Sequence, residues 1–202
     1  MTGDSSFAEL GVATTFEAAG GSGLVAGPLV RVVSGSRAAG PARTALCGPG
    51  DNLAAHRLLE TVQVGDVIVL AVSEARPVAV IGELIALQAK VRGAVAILVD
   101  GPVRDVDAMA ALGLPVWARS VSAAGPAKKV TGPLGVPVEV GGVAIAPGDI
   151  VVLDADGVVV VPQGRRDEVL AAAQAREAKE RELVPRLEAG ELTLDLMRLR
   201  GD

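Results

Sequence analysis

Residues 65–118 read GDVIVLAVSEARPVAVIGELIALQAKVRGAVAILVDGPVRDVDAMAALGLPVWA. Short runs rich in Val and Ile predict buried strands, and the longer segments between them predict helices that stop at glycines. The predicted elements are a strand at Asp66–Val72, a helix at Glu83–Arg92, a strand at Ala94–Val99, a helix at Asp105–Leu112 and a strand at Pro115–Ala118. This β-α-β-α-β series predicts an α/β protein with a parallel sheet and right-handed crossovers.

Charged residues follow two of the predicted strands. Glu83 opens the helix after the first strand, and Arg104 and Asp105 lie in the turn after the next one. Because parallel strands end at the same edge of a sheet, where ligands gather, we expect these three side chains to be near neighbours.

The residue types at this edge are suited to an anionic ligand. Gly82 lets the chain approach a ligand closely, and we expect free amides at Glu83, Leu84 and Ile85, at the positive end of a helix, to attract a carboxylate. Arg104 can make a bidentate contact with the same carboxylate or with a keto oxygen.

The two carboxylates at this edge are suited to a divalent cation. Asp105 offers a hard oxygen ligand, and Glu83 could hold a metal-bound water, because Mg²⁺ usually takes few protein ligands and several waters. The sequence therefore predicts a site for a divalent ion, Mg²⁺ or Mn²⁺, that is chelated by a 2-oxo acid. These oxygen ligands accept either metal.

Simpler interpretations of the same residues stay open. An aspartate at a helix start is commonly an N-cap, and an adjacent arginine can be its surface ion-pair partner. The one histidine, His56, lies on a predicted helix, where it is more often structural than a proton carrier.

The flanking sequence predicts further elements. Upstream we expect a helix at 7–19, a strand at Ala42–Cys47 and a helix at Asn52–Glu60. Downstream, short runs separated by Gly, Pro and Asp predict antiparallel hairpins: Val136–Val140, Val143–Ile145, Ile150–Leu153 and Val158–Val161. The final segment, Arg165–Ala189, predicts a helix whose apolar side docks on another subunit.

The composition excludes several classes of protein. The net charge is −5 and the chain has one Trp, two Phe and no Tyr, which argues against direct nucleic-acid binding. No apolar run reaches the roughly 20 residues that span a bilayer, and the first ten residues show no secretory signal, so we expect a cytoplasmic protein without membrane contact. Cys47 is the only cysteine, and we expect a buried thiol.

Two motifs resemble the signature of the RraA-like family. They are Gly82-Glu83-Leu84 and Val99-Asp100-Gly101-Pro102-Val103-Arg104-Asp105. The family includes the ribonuclease E inhibitor RraA and the 4-hydroxy-4-methyl-2-oxoglutarate/4-carboxy-4-hydroxy-2-oxoadipate aldolases. Further matches are Gly50-Asp51-Asn52, Gly65-Asp66-Val67, Pro137-Val138, Gly141-Gly142-Val143, Pro147-Gly148-Asp149 and Asp156-Gly157-Val158 with Pro162. The resemblance is close over roughly residues 40–165.

The resemblance implies a swivelling β/β/α sandwich with a C-terminal helix. It implies a single domain over residues 1–202, with a core at about 40–165 and a helical extension at 166–202. It also implies a ring-shaped homotrimer with active sites between subunits.

The resemblance also implies roles for particular residues. In the family's aldolases an acidic residue, twenty intervening residues and Arg-Asp form the site, and Glu83, Arg104 and Asp105 have that spacing. By the same resemblance, the amides of residues 82–85 and Arg104 hold the substrate, and Asp105 binds the metal directly. Glu83 and a neighbouring subunit's counterpart of Glu180 would bind it through water. The chain departs from the aldolase pattern at Ala79, where the motif has Gly.

The expected activity is class II aldol cleavage, in which a 4-hydroxy-2-oxo dicarboxylic acid releases pyruvate, with oxaloacetate decarboxylation as a side activity. A regulatory trimer without turnover, similar to the ribonuclease inhibitor, is the alternative. A methyltransferase is less favoured because no Gly-rich Rossmann loop is found, and an acyl hydrolase because no Gly-x-Ser-x-Gly elbow occurs. Residues 154–157 lack EF-hand spacing and predict a hairpin turn.

Overall fold

The computed structural model of the protein describes residues 3–33 and 36–200, which form nine strands and six helices. The strands are β1 (Val30–Arg31), β2 (Ala38–Cys47), β3 (Val67–Val72), β4 (Ala96–Val103), β5 (Val116–Val121), β6 (Val138–Val140), β7 (Val143–Ile145), β8 (Ile150–Asp154) and β9 (Gly157–Val161). The helices are α1 (Gly3–Ala18), α2 (Leu53–Leu58), α3 (Glu83–Val91), α4 (Val106–Leu112), α5 (Arg166–Glu188) and α6 (Thr193–Leu196).

Seven strands form one mixed sheet in the order β1-β5-β4-β3-β2-β8-β9. Strands β2, β3, β4 and β5 are parallel neighbours, which confirms the predicted parallel sheet and adds β2 to it. The remaining pairs are antiparallel, and β6 and β7 form a separate hairpin. The four downstream runs are therefore antiparallel hairpins, as predicted.

Strand β2 belongs to two differently arranged parts of the sheet. Its second half, Ala42–Cys47, pairs in parallel with β3, and its first four residues, Ala38–Pro41, pair antiparallel with β8. The predicted strand began only at Ala42, because the small residues before it lack the β-branched signal. A single long strand thus joins the parallel and antiparallel regions.

The parallel strands are buried on both faces, as their nearly continuous apolar sequences require. On one face, Ile68 and Ile97 pack against residues of α2, α3 and α4. On the other, Val67 and Leu98 pack against β8, β9 and the β6–β7 hairpin. These layers form the swivelling β/β/α sandwich that the resemblance implied.

Helix α1 and the start of α5 cover the outer face of β8 and β9. Phe7 and Val169 lie in one apolar cluster with Val152 and Val159. The helix predicted at 7–19 begins earlier and is broken at Gly11, where φ is 80°. A glycine suits this position because L-residues rarely adopt such a φ.

Two boundaries bear on the site. Strand β4 runs to Val103, four residues beyond the predicted end, with an irregular register between Val99 and Pro102. Arg104 therefore follows the strand directly. Helix α5 matches its predicted range to within one residue at each end, and its buried residues are Val169 and Ala173. Within the described residues, no helix is long and apolar enough to cross a membrane.

Candidate active site

The start of α3 and the end of β4 lie side by side at the predicted sheet edge. Ile81 and Val103 form an isolated parallel bridge, and the Arg104 amide donates to the Ile81 carbonyl at 3.1 Å. This pairing carries Gly82 and Glu83 alongside Arg104 and Asp105. The structure therefore brings together the three predicted side chains, although they come from separate crossovers.

The Asp105 carboxylate reaches from the end of β4 to the start of α3. Its backbone is left-handed, with φ 58°, and its side chain makes no capping hydrogen bond to α4. Instead, Asp105 Oδ2 accepts a hydrogen bond from the Glu83 amide at 3.2 Å. Arg104 Nε lies 3.6 Å from the same oxygen. Asp105 thus occupies the N-cap position of α4 without capping the helix by its side chain, because the carboxylate points to the neighbouring helix. The partly exposed ion pair with Arg104, which the simpler interpretation also included, is present.

Gly82 is required by this close approach. A Cβ at Gly82 would overlap Asp105 Oδ2 and lie 3.1 Å from Arg104 Cγ. The backbone of Gly82 is extended, so the constraint is space and not an unusual φ. Any larger residue would displace the Asp105 carboxylate.

The first turn of α3 supplies fewer free amides than expected. Ala86 donates the first hydrogen bond of the helix to Gly82 O, so Leu84 and Ile85 have no partner within the helix. The Glu83 amide is already engaged by Asp105. The expectation of a free amide at Glu83 is therefore wrong, and Leu84 and Ile85 are the anion donors that the helix offers.

These residues line a cleft of about 370 Å³. It is large enough for a small dicarboxylic acid. The lining residues are Asn52, His56, Val80, Ile81, Gly82, Glu83, Leu84, Ile85, Arg104, Asp105, Pro126 and Lys128. Sequence reasoning did not place Asn52 or Lys128 in the site. Their signals were weak: Asn52 stood within a matching Gly-Asp-Asn motif, and Lys128 lies in a segment with no predicted element.

One wall of the cleft is the irregular segment 122–130, which hydrogen bonds hold in place. The backbone amide of Asn52 donates to Ala127 O at 3.0 Å, and the backbone amide of Ala79 donates to Ala124 O at 2.9 Å. Asp51 Oδ2 accepts hydrogen bonds from the amides of Lys129 and Val130. Asp51 thus links the start of α2 to the segment that carries Lys128.

The pKa of Asp51 is below its usual value. Burial of the carboxylate acts to raise it, but hydrogen bonds from the Leu53, Lys129 and Val130 amides and the positive charge of Lys128 together lower it. Asp51 is therefore an ionised structural anchor at neutral pH.

His56 is a neutral residue of the cleft at pH 7. Burial of the imidazole, followed by the nearby charge of Lys128, lowers its pKa below the usual value. Its Nε2 atom is buried without a hydrogen-bond partner among the described residues. The structure thus brings His56 to the site, whereas the sequence favoured a structural role.

The cleft fits a divalent ion held by few protein ligands. Within residues 3–33 and 36–200, no group of three His, Cys, Asp or Glu side chains could hold a metal. The cleft carries two carboxylates, Glu83 and Asp105, and Asp105 uses only Oδ2 in the contacts described above. Mg²⁺ and Mn²⁺ accept such sites because water completes their coordination.

Glu180 does not reach this cleft within one chain. It lies on α5, where Arg176 Nε is 3.0 Å from its Oε1 atom. A role at the metal would need a second copy of the chain.

Cys47 is buried and does not line the cleft. Burial raises the pKa of its thiol to about 11, and the charge of Asp51 acts in the same direction against a backbone hydrogen bond at Ala55. A thiol with this pKa is not a nucleophile at neutral pH.

A second, larger groove of about 560 Å³ lies along residues 72–77 and the ends of β4 and β5. Both of its arginines are already paired: Arg76 with Glu74, and Arg119 with Asp100. Arg119 also donates to the Ala26 and Pro28 carbonyls. Because these contacts satisfy its charged groups, it is a weaker candidate for binding a small acid.

The chain is similar to several known proteins. The model of the RraA-like family, described as Aldolase/RraA, matches residues 12–160. A protein of Halalkalibacterium halodurans, provisionally named 4-hydroxy-4-methyl-2-oxoglutarate aldolase, is 40% identical over 139 residues. That alignment covers 69% of this chain and 66% of the relative, so the chain spans slightly less than two thirds of that protein's length.

Solved structures share the fold. Streptomyces coelicolor RraAS2, described as an unusual member of the RNase ES inhibitor RraA protein family, is 30% identical with a TM-score of 0.78, and the match covers 87% of this chain and 92% of that one. An uncharacterized protein from Pseudomonas syringae is 28% identical with a TM-score of 0.79, covering 96% and 90%.

Proposed function

Because this chain belongs to the RraA-like family, we propose that it is a divalent-metal-dependent carbon–carbon lyase. Its substrate would be a 4-hydroxy-2-oxo dicarboxylic acid, such as 4-hydroxy-4-methyl-2-oxoglutarate, from which it releases pyruvate. Oxaloacetate decarboxylation would be a side activity. The supporting observation is the convergence of Arg104, Asp105 and the first turn of α3 in one cleft.

The charges of the cleft support a dianionic substrate with a divalent ion. Arg104 and Lys128 are positive, and Glu83 and Asp105 are negative, so the four side chains balance. A bound divalent cation would make the site positive by two charges, which a dicarboxylate neutralises. A cleft closed partly from water strengthens such interactions.

In the proposed mechanism, Arg104 and the amides of Leu84 and Ile85 bind the carboxylate beside the 2-oxo group. Asp105, oriented by the Glu83 amide, would hold the divalent ion, with Glu83 positioning a water. A bound divalent ion would supply positive charge that stabilises the pyruvate enolate left when the bond between C3 and C4 breaks. The 4-hydroxyl proton would pass to water as its oxygen becomes the keto oxygen of one pyruvate, and the enolate would take a proton from water to give the second. Loss of CO₂ from oxaloacetate forms the same enolate, which is why both activities are proposed.

The test is pyruvate release from 4-hydroxy-4-methyl-2-oxoglutarate and from oxaloacetate, with Mg²⁺ or Mn²⁺ and with a chelator. We expect metal-dependent turnover that falls at least about a hundredfold in Asp105→Asn, since removal of a catalytic charge has effects of this size. Asparagine tolerates the left-handed backbone of Asp105, so this variant keeps the local fold. Absence of turnover by folded wild-type protein on both substrates would overturn the proposal.

A regulatory role is a second candidate, favoured by the similarity to RraAS2 over most of both chains. In that case the chain would bind a protein partner without turnover. Substitutions at Arg104 and Asp105 would then leave its function intact, which separates the two candidates.

We also propose that the chain assembles as a homotrimer with sites between subunits. Apolar residues on α3 and at the C-terminus support an assembly, since Leu84 and Val91 are each 77% exposed and Leu199 is 62% exposed. In such a trimer the neighbouring subunit's counterpart of Glu180 could approach the metal. Light scattering during gel filtration measures the mass, and a monomer at micromolar concentration would contradict this arrangement.

A further inference from the structure

Two buried polar atoms of the candidate cleft are left without partners. Among the described residues, the buried side-chain nitrogen and oxygen atoms without a hydrogen bond are Asn52 Oδ1 and His56 Nε2. Asn52 is only 3% exposed, and both residues line the cleft that contains Arg104 and Asp105. Because buried polar atoms are normally paired, two such atoms in one cleft indicate a ligand group that pairs with them.

The orientation of the Asn52 side-chain amide is fixed by a hydrogen bond. Its Nδ2 atom donates to the Val80 carbonyl at 2.8 Å, which requires the other atom to be the oxygen. An amide oxygen can only accept a hydrogen bond. The missing partner of Asn52 must therefore be a donor.

His56 lies on the same side of α2 as Asn52. The two residues are four positions apart at the start of the helix, and the His56 amide donates to Asn52 O at 3.2 Å. Asn52 is the N-cap of α2, and the side chains of both residues line the same cleft. A small ligand in the cleft can therefore contact both.

The chemistry of the missing partner narrows to an O–H group, either of an alcohol or of a water molecule that such an alcohol displaces on binding. Carboxylate and keto oxygens cannot donate to Asn52 Oδ1. An ammonium group is disfavoured because the four charged side chains of the cleft balance, so that the divalent ion of the proposed function would make the site positive. An alcohol can donate to Asn52 Oδ1 and accept from His56 Nε2 in the tautomer that carries the proton on Nε2, and it then satisfies both atoms.

We infer that Asn52 and His56 are specificity-determining residues that bind an alcohol hydroxyl of the substrate. This inference rests on the proposed function and deepens it, because it assigns the recognition of the 4-hydroxy group to this pair. Oxaloacetate lacks such a hydroxyl in its keto form. The pair therefore matters for cleavage of the hydroxylated acid and not for decarboxylation.

The test compares His56→Leu and His56→Gln with wild type in the full-length protein with Mg²⁺. Leucine removes the nitrogen, whereas the glutamine amide can place a donor near the position of Nε2. Arg57→Leu is the matched control, because Arg57 is the adjacent, exposed residue of α2. The readouts are kcat and KM for 4-hydroxy-4-methyl-2-oxoglutarate and for oxaloacetate, with calorimetric binding of oxalate, which has no alcohol hydroxyl.

For His56→Leu we expect kcat/KM for the hydroxylated acid to fall about 10- to 100-fold, because a polar group of the substrate loses its partner. Oxaloacetate turnover and oxalate affinity should stay within about twofold, and His56→Gln should recover most of the loss. Equal losses on both substrates, or no loss on either, would overturn the inference. Metal-dependent binding of oxalate by wild type would support a site for a metal and a 2-oxo acid. If wild type does not bind oxalate, the proposed function and this inference are both overturned.

Discussion

The substitution Gly82→Ala should push the Asp105 carboxylate away from the start of α3. A Cβ there overlaps Asp105 Oδ2, the far end of a flexible and partly exposed side chain. We expect Gly82→Ala to lower kcat/KM about a hundredfold, since displacement of a catalytic group by about 1 Å has an effect of this size. The melting temperature should change little, because the carboxylate can swing into solvent.

The control for this substitution is Gly164→Ala, where a Cβ meets nothing within 4 Å and the backbone is not left-handed. It should alter neither activity nor stability. Full activity of Gly82→Ala would show that the observed position of Asp105 is not used in turnover.

Cys47 should be unreactive while the protein is folded. The thiol is fully buried, and burial raises its pKa to about 11. Because the raised pKa keeps the thiol protonated, we expect no labelling by a disulfide reagent at pH 8 over minutes, and one equivalent of labelling in guanidinium chloride. Rapid labelling of the native protein would mean that the β2–α2 region opens readily.

Individual site residues differed in how well the sequence predicted them. The neighbourhood of Glu83, Arg104 and Asp105 followed from parallel topology alone, because adjacent strands place their ends together. The positions of Asn52 and Lys128 in the cleft did not follow from topology. Lys128 lies in a segment without regular structure, and hydrogen bonds between this segment and the start of α2 bring the two residues together. The bond from the Glu83 amide to Asp105 depends on the left-handed backbone of Asp105, which spacing does not reveal.

At the level of elements, the stability of the α2 start should depend on the charge of Asp51. Its carboxylate accepts hydrogen bonds from the Leu53, Lys129 and Val130 amides. We expect Asp51→Asn to reduce the free energy of unfolding at pH 7 by about 1–3 kcal/mol, the range for buried hydrogen bonds to a charged group. Urea denaturation measures this difference.

The pH dependence follows from the lowered pKa of Asp51. A carboxyl whose pKa is lower in the folded than in the unfolded state stabilises the fold above the unfolded pKa of about 4, and this contribution is lost as the pH falls through the folded value. The difference between wild type and Asp51→Asn should therefore shrink below about pH 4. Glu139→Gln, at an exposed position on β6, is the control and should change stability by less than about 0.5 kcal/mol. A difference that is constant with pH would exclude a charge-dependent anchor.

The sequence predicted most elements but not all of their boundaries. The strands at Val143–Ile145 and Val116 onward, and helix α3, were recognised because turn residues enclose apolar runs. The first residues of β2, Ala38–Pro41, contain Gly and Pro and were not assigned, yet they pair with β8. Their strand conformation comes from tertiary pairing, which overrides weak local preference.

For the whole molecule, the C-terminal region should govern assembly more than folding. Helix α5 buries Val169 and Ala173, whereas Met197 and Leu199 are more than half exposed. We expect a chain that lacks residues 181–202 to keep its far-ultraviolet circular dichroism apart from the lost helix, and to sediment as a smaller assembly than wild type. Retention of the wild-type assembly would show that the contacts between copies lie elsewhere.

The dual pairing of β2 has a consequence for the order of folding. Its pairing with β3 closes a short loop, whereas its pairing with β8 joins residues as far apart as Ala38 and Leu153. Closing the longer loop costs more chain entropy, so the pairing of β2 with β8 should form last. In pulse-labelling hydrogen exchange, amides of β3 and β4 should gain protection before those of the first residues of β2, which pair with β8. A ribosome would also have to synthesise most of the chain before the first four residues of β2 could find their partner.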